Sequence, residues 1–200
     1  MDRFDLTSWF TGATEHSNYD NMQCTFMVEE ILYLLILCVS ERANATHKSV
    51  QDKIRREIVH HLCLGNTVYS ELVKRIPERL TEHHDFDEIL NQVAKFKAPV
   101  SLNDSGRYEL REEYFDMVDP YFWHYSRNNR GEAELVLKNR WKKENPDKDE
   151  SSFFVLPKPF EEWEQKSDGS GPFKQLEGFL GSPVIVQMIT YTMYNIRRLR

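Results

Sequence analysis

The 200-residue sequence contains only three cysteines, Cys24, Cys38 and Cys63, and none of them is part of a C-x-x-C motif. Three is an odd number, so a disulfide framework would leave one thiol over. The N-terminus also lacks the charged and then apolar pattern of a secretory signal peptide. We therefore expect a protein of a reducing compartment, which means the cytoplasm, with the nucleus as a further location.

Motifs of enzyme active sites are missing as well. The sequence has no G-x-S-x-G elbow, no H-E-x-x-H helix and no glycine-rich phosphate loop. The pairs His60-His61 and His83-His84 are poor metal ligands, because neighbouring residues of a helix point about 100° apart. We expect no catalytic residue, no cofactor and no metal in this segment. An independent hydrolase is one alternative function, and it would need a pocket in which a nucleophile and a base meet.

Long hydrophobic runs are also scarce. The strongest apolar run covers residues 31–39, short of the roughly 18 residues that cross a bilayer. Together with Phe26, Met27 and Val28 it predicts a helix within residues 25–48. A helix that is apolar nearly all round is typically buried on most sides inside a larger body. We therefore expect a buried helix and no membrane segment.

Amphipathic segments follow between residues 54 and 110. Ile54, Ile58 and Leu62 recur at the spacing that places them on one face of a first helix. A second, short helix follows a Gly-Asn turn and is ended by Pro77. These two elements predict a helix-turn-helix arrangement.

A third helix begins where Asp85 offers an N-cap with Glu88 three residues further on. Its apolar stripe consists of Phe86, Ile89, Leu90, Val93 and Phe96. The stripe has the periodicity of a helix that covers a hydrophobic core.

A hairpin is predicted directly after the third helix. Val100 and Leu102 alternate before a four-residue turn at 103–106, and Tyr108 and Leu110 alternate after it. Three helices followed by a hairpin are the order of a winged-helix module. The sequence therefore predicts a mainly α fold with a small β-hairpin, in which the winged-helix module is flanked by a buried helix and a charged helix.

Positive charge is scarce where a DNA-binding winged helix needs it. The chain has a net charge of −6 and a pI near 5.7, and residues 51–126 hold fourteen acids and ten bases. The start of the third helix is crowded by Glu82, Asp85, Asp87 and Glu88. Lys and Arg side chains neutralise phosphates in nucleic-acid complexes and supply most of the non-specific affinity. We therefore favour a protein-binding or scaffolding role, with a nucleic-acid-binding winged helix as the alternative.

Composition predicts six successive regions. They are a flexible lead-in at 1–24, a buried helix at 25–48, the winged-helix module with an aromatic run at 49–126, a charged helix at 127–145, an irregular strap at 146–181 and the start of a further helical region at 182–200. Trp9 and Phe10 are docking points within the lead-in, and Ser182-Pro183 is an N-cap with a first-turn proline.

An aromatic run occupies residues 121–125. Aromatic side chains in series most often bury themselves in their own domain or against a neighbouring one, and less often form a partner hot spot or stack on bases. The charge argument places base stacking last. The candidate residues for a partner or interdomain contact are Tyr121, Phe122, Trp123 and Tyr125.

Five strings, in this order, resemble the interior of the large UBR-box E3 ubiquitin ligases, the N-recognins. They are ILYLLI at 31–36, IRREI at 54–58, SELVK at 70–74, GRYEL at 106–110 and PYFWHYS at 120–126. The resemblance covers about residues 26–140, and the strings are specific as an ordered set.

The resemblance implies a ligase that recognises destabilising N-terminal residues and, with a ubiquitin-conjugating E2, marks substrates for proteasomal degradation. The family's UBR box and RING are zinc modules rich in Cys and His, and neither pattern occurs here. The zinc is therefore expected elsewhere in the parent chain. The resemblance implies a spacer or docking segment whose partners are other domains of the parent ligase, an E2 or a substrate protein, with no nucleic acid and no membrane.

Overall fold

A computed structural model describes residues 4–13, 15–40, 48–99, 101, 105–156 and 177–198. Its α-helices are α1 (Asn21–Ser40), α2 (Val50–Cys63), α3 (Tyr69–Arg75), α4 (Glu78–Thr81), α5 (Phe86–Val93), α6 (Arg127–Glu144), α7 (Glu177–Leu180) and α8 (Pro183–Arg198). Two strands, β1 (Ala94–Lys97) and β2 (Arg107–Leu110), form an antiparallel sheet. Short 3-10 helices lie at Trp9–Thr11, Glu112–Met117 and Glu150–Ser152. The predicted fold class, mainly α with a small hairpin, is confirmed.

The chain divides into two compact units, Met1–Val39 with Glu161–Arg200 and Ser40–Phe160. The second unit contains the winged-helix elements. Its core is built from α2, α5, the sheet and the aromatic run. The apolar stripes that the sequence periodicity predicted for the first and third helices lie in this core, except Phe96. Ile54, Ile58 and Leu62 of α2 are at most 2% exposed.

Helix α2 begins at a side-chain cap. The Ser49 hydroxyl accepts a hydrogen bond from the Asp52 backbone N–H at 3.0 Å, which satisfies one of the donors that the first helical turn leaves open. Arg55 donates to Asp52 at 2.7 Å. These contacts fix the first turn of the helix that carries the candidate site.

The predicted N-cap at Asp85 is wrong. Asp85 has helical backbone angles, and its side chain makes no capping hydrogen bond. The carboxylate instead accepts a hydrogen bond from the Gln51 side chain at 2.7 Å. The reason is the additional helix α4, which follows Pro77 and leads into α5 without the extended residue that a side-chain cap needs.

The predicted hairpin is misplaced by several residues. Helix α5 ends at Val93, β1 begins at Ala94, and Phe96 belongs to the strand, where it is 57% exposed. In the sheet, Ala94 is paired with Leu110 and Phe96 with Tyr108. The predicted strand residues Val100 and Leu102, and the first half of the predicted turn, lie outside the described residues.

The strand position follows from burial. Ala94 and Leu110 are 2% and 4% exposed. Because they are paired in the sheet, both side chains are buried in the core. Thr67 adds a further bridge to Tyr108, with hydrogen bonds of 3.2 and 2.8 Å in the two directions. Thr67 thus adds a third, one-residue strand to the sheet, as in a winged helix.

Helix α6 is the predicted charged helix. Ser126 and Asn129 form a capping box at its start. Ala133 is its only buried side chain among the described residues, and Leu135 is 56% exposed. The helix is therefore exposed or partly exposed along almost its whole length, in keeping with its charge pattern.

The first unit corrects the flexible lead-in predicted at residues 1–24. Leu6, Trp9 and Phe10 are at most 2% exposed and pack against residues of α1 and α8. Asn195 of α8 donates to the Trp9 carbonyl at 3.0 Å. Large apolar side chains in a polar segment are enough to hold it against two helices, and Trp9 and Phe10 act as the docking points that the sequence indicated.

Helix α1 also departs from its prediction. It begins at Asn21 rather than near 25, and with 20 residues it is long and apolar enough to cross a membrane by length and composition. Such a helix is weak support for a membrane span, because core helices of soluble proteins have the same composition. Within the described residues only 17% of its apolar window is buried, whereas the sequence predicted burial on most sides. Its buried face carries Cys24, Val28 and Ile31.

Most of the predicted strap at 146–181 lies outside the described residues. Its described part includes the 3-10 helix Glu150–Ser152, capped by the Asp149 carboxylate, which accepts from the Ser151 backbone N–H at 2.7 Å. The predicted start at Ser182-Pro183 agrees with α8, whose first residue is Pro183.

Candidate functional site

The aromatic run lies against α2, and its five rings divide between core and surface. Phe122 is fully buried and Tyr125 is 5% exposed, whereas Trp123 is 42% exposed and Tyr121 is half-buried. Core side chains cannot contact another molecule without unfolding. Of the four residues predicted to contact a partner or another domain, only Trp123 and Tyr121 are therefore accessible to another molecule.

Phe122 is the ring that fixes the run on α2. It stacks on His60 with ring centroids 4.2 Å apart and an interplanar angle of 25°. The guanidinium of Arg56 lies 5.1 Å from the centroid of the same ring, and His61 meets its edge at 6.2 Å. Three side chains from two successive turns of α2 thus hold one aromatic ring.

His60 uses both of its ring nitrogens inside the core. Nε2 accepts a hydrogen bond from the Asp119 backbone N–H at 2.9 Å. Since that nitrogen must accept, Nδ1 carries the proton and donates to the Arg56 carbonyl at 2.7 Å. Burial, together with the nearby Arg56 charge, lowers the pKa of His60 to about 3. The imidazole is therefore neutral at physiological pH and serves as a structural bridge.

Tyr125 and Cys63 are also committed to the core. The Tyr125 hydroxyl donates to the His60 carbonyl, and burial raises its pKa far above the ordinary tyrosine value. Burial likewise raises the pKa of the Cys63 thiol to about 12. A thiol that stays protonated is a poor nucleophile, so Cys63 is not suited to catalysis.

A second group on α2 joins Glu57 and His61 to His124 of the aromatic run. Oε2 of Glu57 lies 2.9 Å from Nδ1 of His124 and 3.6 Å from Nε2 of His61. The side chains of Glu57 and His61 are 7% and 9% exposed, and that of His124 is 25% exposed. Trp123 stacks on His124 with centroids 3.9 Å apart. The exposed indole therefore covers one face of the His124 ring.

The Glu57 carboxylate is charged despite its burial. Burial alone would raise its pKa, but the hydrogen bond with His124 and the nearby ring of His61, 3.6 Å away, outweigh that effect and hold the pKa of Glu57 below its ordinary value. The structure therefore places a buried anion between two imidazole rings.

The sequence contained part of this signal. The prediction considered His60 and His61 as neighbours, but Glu57 and His61 stand four residues apart and so share a helix face. His124 could not be found by spacing, because it lies 67 residues from Glu57 along the chain. Only the docking of the aromatic run on α2 brings it there.

The second histidine pair lies on the surface. His83 and His84 stack on each other at 4.3 Å, and Asp85 lies 3.1 Å from Nε2 of His84. The His84 side chain is 83% exposed. Charge pairing in water is the ordinary role of such a group.

The outer surface of α5, the third helix of the winged-helix module, is acidic and polar. Its exposed residues are Asp87, Glu88, Asn91 and Gln92, and the helix contains no lysine or arginine. On the adjoining sheet, Lys97 pairs with Glu109 at 2.6 Å. A phosphate backbone would therefore meet carboxylates on this helix.

Exposed aromatic rings adjoin that acidic surface. The ring centroids of Phe96 and Tyr108 are 5.3 Å apart, and those of Tyr108 and Tyr69 are 6.3 Å apart. Phe96 is 57% and Tyr69 41% exposed, and the Tyr69 hydroxyl donates to Asp87 at 2.9 Å. We call Tyr69, Asp87, Glu88, Phe96 and Tyr108 the acidic-aromatic surface.

A cavity of about 360 Å³ runs beside α6. Its lining is mainly aromatic and aliphatic, with Asp116, Arg140 and Glu144 as the polar residues. No serine, cysteine or histidine lines it. Within the described part of the chain, this cavity does not bring together the nucleophile and base that a hydrolase needs.

Comparison with known proteins gives the module its family. Residues 53–152 match the family described as the winged-helix domain of E3 ubiquitin-protein ligase UBR1-like proteins. The chain is 42% identical over 147 residues to E3 ubiquitin-protein ligase ubr1 of Schizosaccharomyces pombe, covering 72% of this chain and 8% of that protein. It is 37% identical over 143 residues to E3 ubiquitin-protein ligase UBR2 of Mus musculus, covering 70% of this chain and 8% of that protein.

A third relative, E3 ubiquitin-protein ligase UBR2 of Saccharomyces cerevisiae, is 32% identical over 142 residues, which are 69% of this chain and 8% of that protein. The chain thus spans about 8% of the length of these relatives. The family match covers half of the chain and coincides with α2 to α6 and the sheet. The chain belongs to the UBR1-like E3 ubiquitin-protein ligase family and contains its winged-helix domain.

Proposed function

We propose that this chain is a non-catalytic scaffold of a RING-type E3 ubiquitin ligase that recognises N-degrons and promotes ubiquitination for proteasomal degradation. The main support for this proposal is that α5, the third predicted helix of the winged-helix module, is acidic on its outer surface. Membership of a family of ligases supports the setting. The chain works through protein contacts in the cytoplasm, with the nucleus as a further location.

The absence of catalysis in this segment is supported by how its reactive side chains are used. His60 and Tyr125 are buried and hydrogen-bonded to the backbone. Cys63 is buried, and its raised pKa keeps the thiol protonated. A general base needs a pKa near the working pH and access to substrate, and His60 has neither. We propose that ubiquitin transfer depends on other parts of the parent chain, including its zinc modules.

The acidic-aromatic surface is the proposed contact for a partner. Exposed aromatic rings supply buried area when a partner binds, and the carboxylates select a partner with positive charge. Asp87 and Glu88 are exposed on α5, which corresponds to the helix that a DNA-binding winged helix places in the major groove. A basic surface on another domain of the ligase, on an E2 or on a substrate protein has the complementary chemistry.

Charge reversal on α5 tests this proposal in the parent ligase. The variant Glu88→Lys with Asn91→Lys changes two exposed residues, and a matched control makes the same substitutions at Glu132 and Asn139, which are exposed on α6. We expect ubiquitin transfer to a substrate with a destabilising N-terminal residue to fall by more than about fivefold, which corresponds to about 1 kcal/mol of contact energy. The α6 control should keep its activity.

Duplex DNA supplies the opposing test. The 200-residue chain is titrated against DNA at low salt, and we expect no saturable binding in the micromolar range. Micromolar or tighter affinity that falls steeply with salt would favour a nucleic-acid-binding winged helix instead.

A further inference from the structure

We propose that Glu57, His61 and His124 form a binding site for a divalent transition-metal ion of the zinc class. One ligand atom from each residue lies within 4.8 Å of the other two. Glu57 and His61 share a face of α2, and His124 comes from the aromatic run, so the ion would join two parts of the winged-helix unit. The inference is independent of the role proposed for the acidic-aromatic surface.

The distances suit a metal ion after small side-chain adjustments. Zinc binds histidine nitrogen and carboxylate oxygen at about 2.0–2.2 Å, so neighbouring ligand atoms in a tetrahedral site lie about 3.4 Å apart. The observed separations from Oε2 of Glu57 are 2.9 Å to His124 and 3.6 Å to His61. These two values lie on either side of the tetrahedral distance, and the ring nitrogens of His61 and His124 lie within 4.8 Å of each other.

The His61 imidazole has a free ligand atom in the core. Its Nε2 is buried and has no hydrogen-bond partner among the described residues, although the side chain is only 9% exposed. A buried polar atom without a partner costs free energy. A neutral imidazole nitrogen is also the most common metal ligand in proteins. Metal coordination would give this nitrogen the partner that it lacks.

The ligand types are also appropriate. Two imidazole nitrogens and one carboxylate oxygen are a known ligand set for zinc. His124 is the ligand with the largest exposure, 25%. A water molecule at this side, or a side chain of another protein, would complete four-coordination.

The site would have a structural consequence for the aromatic run. His124 lies between Trp123, which stacks on it at 3.9 Å, and Phe122, whose ring meets it at 5.5 Å. An ion bound by His124 and by α2 would hold the exposed Trp123 indole in a fixed position. Without an ion, a hydrogen bond from His124 to Glu57 makes a weaker link between the same elements.

The test uses the whole 200-residue chain, freed of metal with a chelator and titrated with Zn²⁺ in competition with a chromophoric chelator. We expect one equivalent to bind and the Tm to rise. His61→Gln and His124→Gln should each weaken affinity by at least about 10- to 100-fold, the effect known for disturbing even the outer shell of a metal site. His84→Gln is the matched control, because His84 belongs to the exposed histidine group, and it should bind Zn²⁺ like the native chain.

Folding of each variant is checked by circular dichroism. His124 is partly exposed, so His124→Gln decides the result if His61→Gln does not fold. Failure of the native chain to bind Zn²⁺ tighter than about 10 μM would overturn the metal site and leave the hydrogen-bonded group. Binding that survives in His124→Gln but disappears in His84→Gln would assign the ion to the surface pair and overturn the proposal equally.

Discussion

The backbone N–H of Asp119 donates a hydrogen bond to Nε2 of His60 at 2.9 Å, and these two residues are 59 positions apart in the chain. This bond connects the segment before the aromatic run to the last turn of α2. It also fixes the tautomer of His60, because a backbone N–H can only donate. The imidazole therefore acts as a buried bridge between the helical core and the aromatic run.

Replacing His60 by leucine should remove that bridge while nearly conserving volume. The Asp119 N–H would then be buried without an acceptor, which costs about 1–3 kcal/mol. We expect the free energy of unfolding of His60→Leu to fall by that amount in a denaturant titration. His84→Gln, on the exposed histidine pair, is the control and should unfold like the native chain. Equal stability of His60→Leu and the control would show that the bond is not important.

The low pKa of His60 also predicts acid sensitivity. Its value of about 3 in the folded chain lies below the ordinary 6.5, so the unfolded chain binds a proton first as pH falls. Stability from this group is present above pH 6.5 and is lost progressively between 6.5 and 3. By linkage the loss at pH 5 is about 2 kcal/mol relative to pH 8.

The measurement is unfolding as a function of pH for the native chain and for His60→Gln. Arg56, Glu57 and His61 are the charged or titratable groups that act on His60, and all three remain in the variant. The variant should lose less stability between pH 8 and 5. Glu57 acts at lower pH, since its depressed pKa gives stability that is present above 4.5 and lost below it. An unchanged pH profile in His60→Gln would contradict the assignment.

The aromatic run should separate into core and surface in an alanine scan. Phe122 is fully buried, and its removal should cost about 3–5 kcal/mol of unfolding free energy. Trp123 is 42% exposed, so Trp123→Ala should cost less than about 1 kcal/mol. If Trp123 contacts a partner, Trp123→Ala in the parent ligase should lower ubiquitin transfer while the 200-residue chain with the same substitution remains folded. Normal stability and normal activity in both variants would contradict both roles.

Periodicity predicted the helices of the winged-helix unit because their buried faces repeat at helical spacing, as Ile54, Ile58 and Leu62 do. It failed at Phe96, which continues the stripe of α5 three residues after Val93 and also fits the alternation of a strand. The choice between the two depends on pairing with Tyr108, a contact across the sheet. A single sequence carries no direct signal for such a contact.

The candidate site divides in the same way. The aromatic run was visible in the sequence, but which rings are buried depends on how the segment turns onto α2. Phe122 and Tyr125 face inward, three residues apart, and Trp123 faces outward between them. Likewise, Glu57 and His61 could be paired by helical spacing, but His124 joins them only through tertiary packing.

Gly106 directly precedes β2, in the hairpin of β1 and β2 that forms the wing of the module. A Cβ at this position would overlap the ring of Phe96, so Gly106→Ala must displace that ring from its place beside Tyr108. Phe96 is 57% exposed and can rotate away, so we expect a loss of about 1–2 kcal/mol in unfolding free energy rather than loss of the fold.

The double variant Gly106→Ala with Phe96→Ala identifies the cause. Once the ring is absent the alanine has no overlap, so the glycine substitution should cost nearly nothing in the Phe96→Ala background. A double-mutant cycle measures this difference as a coupling of about 1 kcal/mol or more. Additive losses would show instead that position 106 needs glycine for its backbone, and the contact with Phe96 would then not determine the shape of the wing.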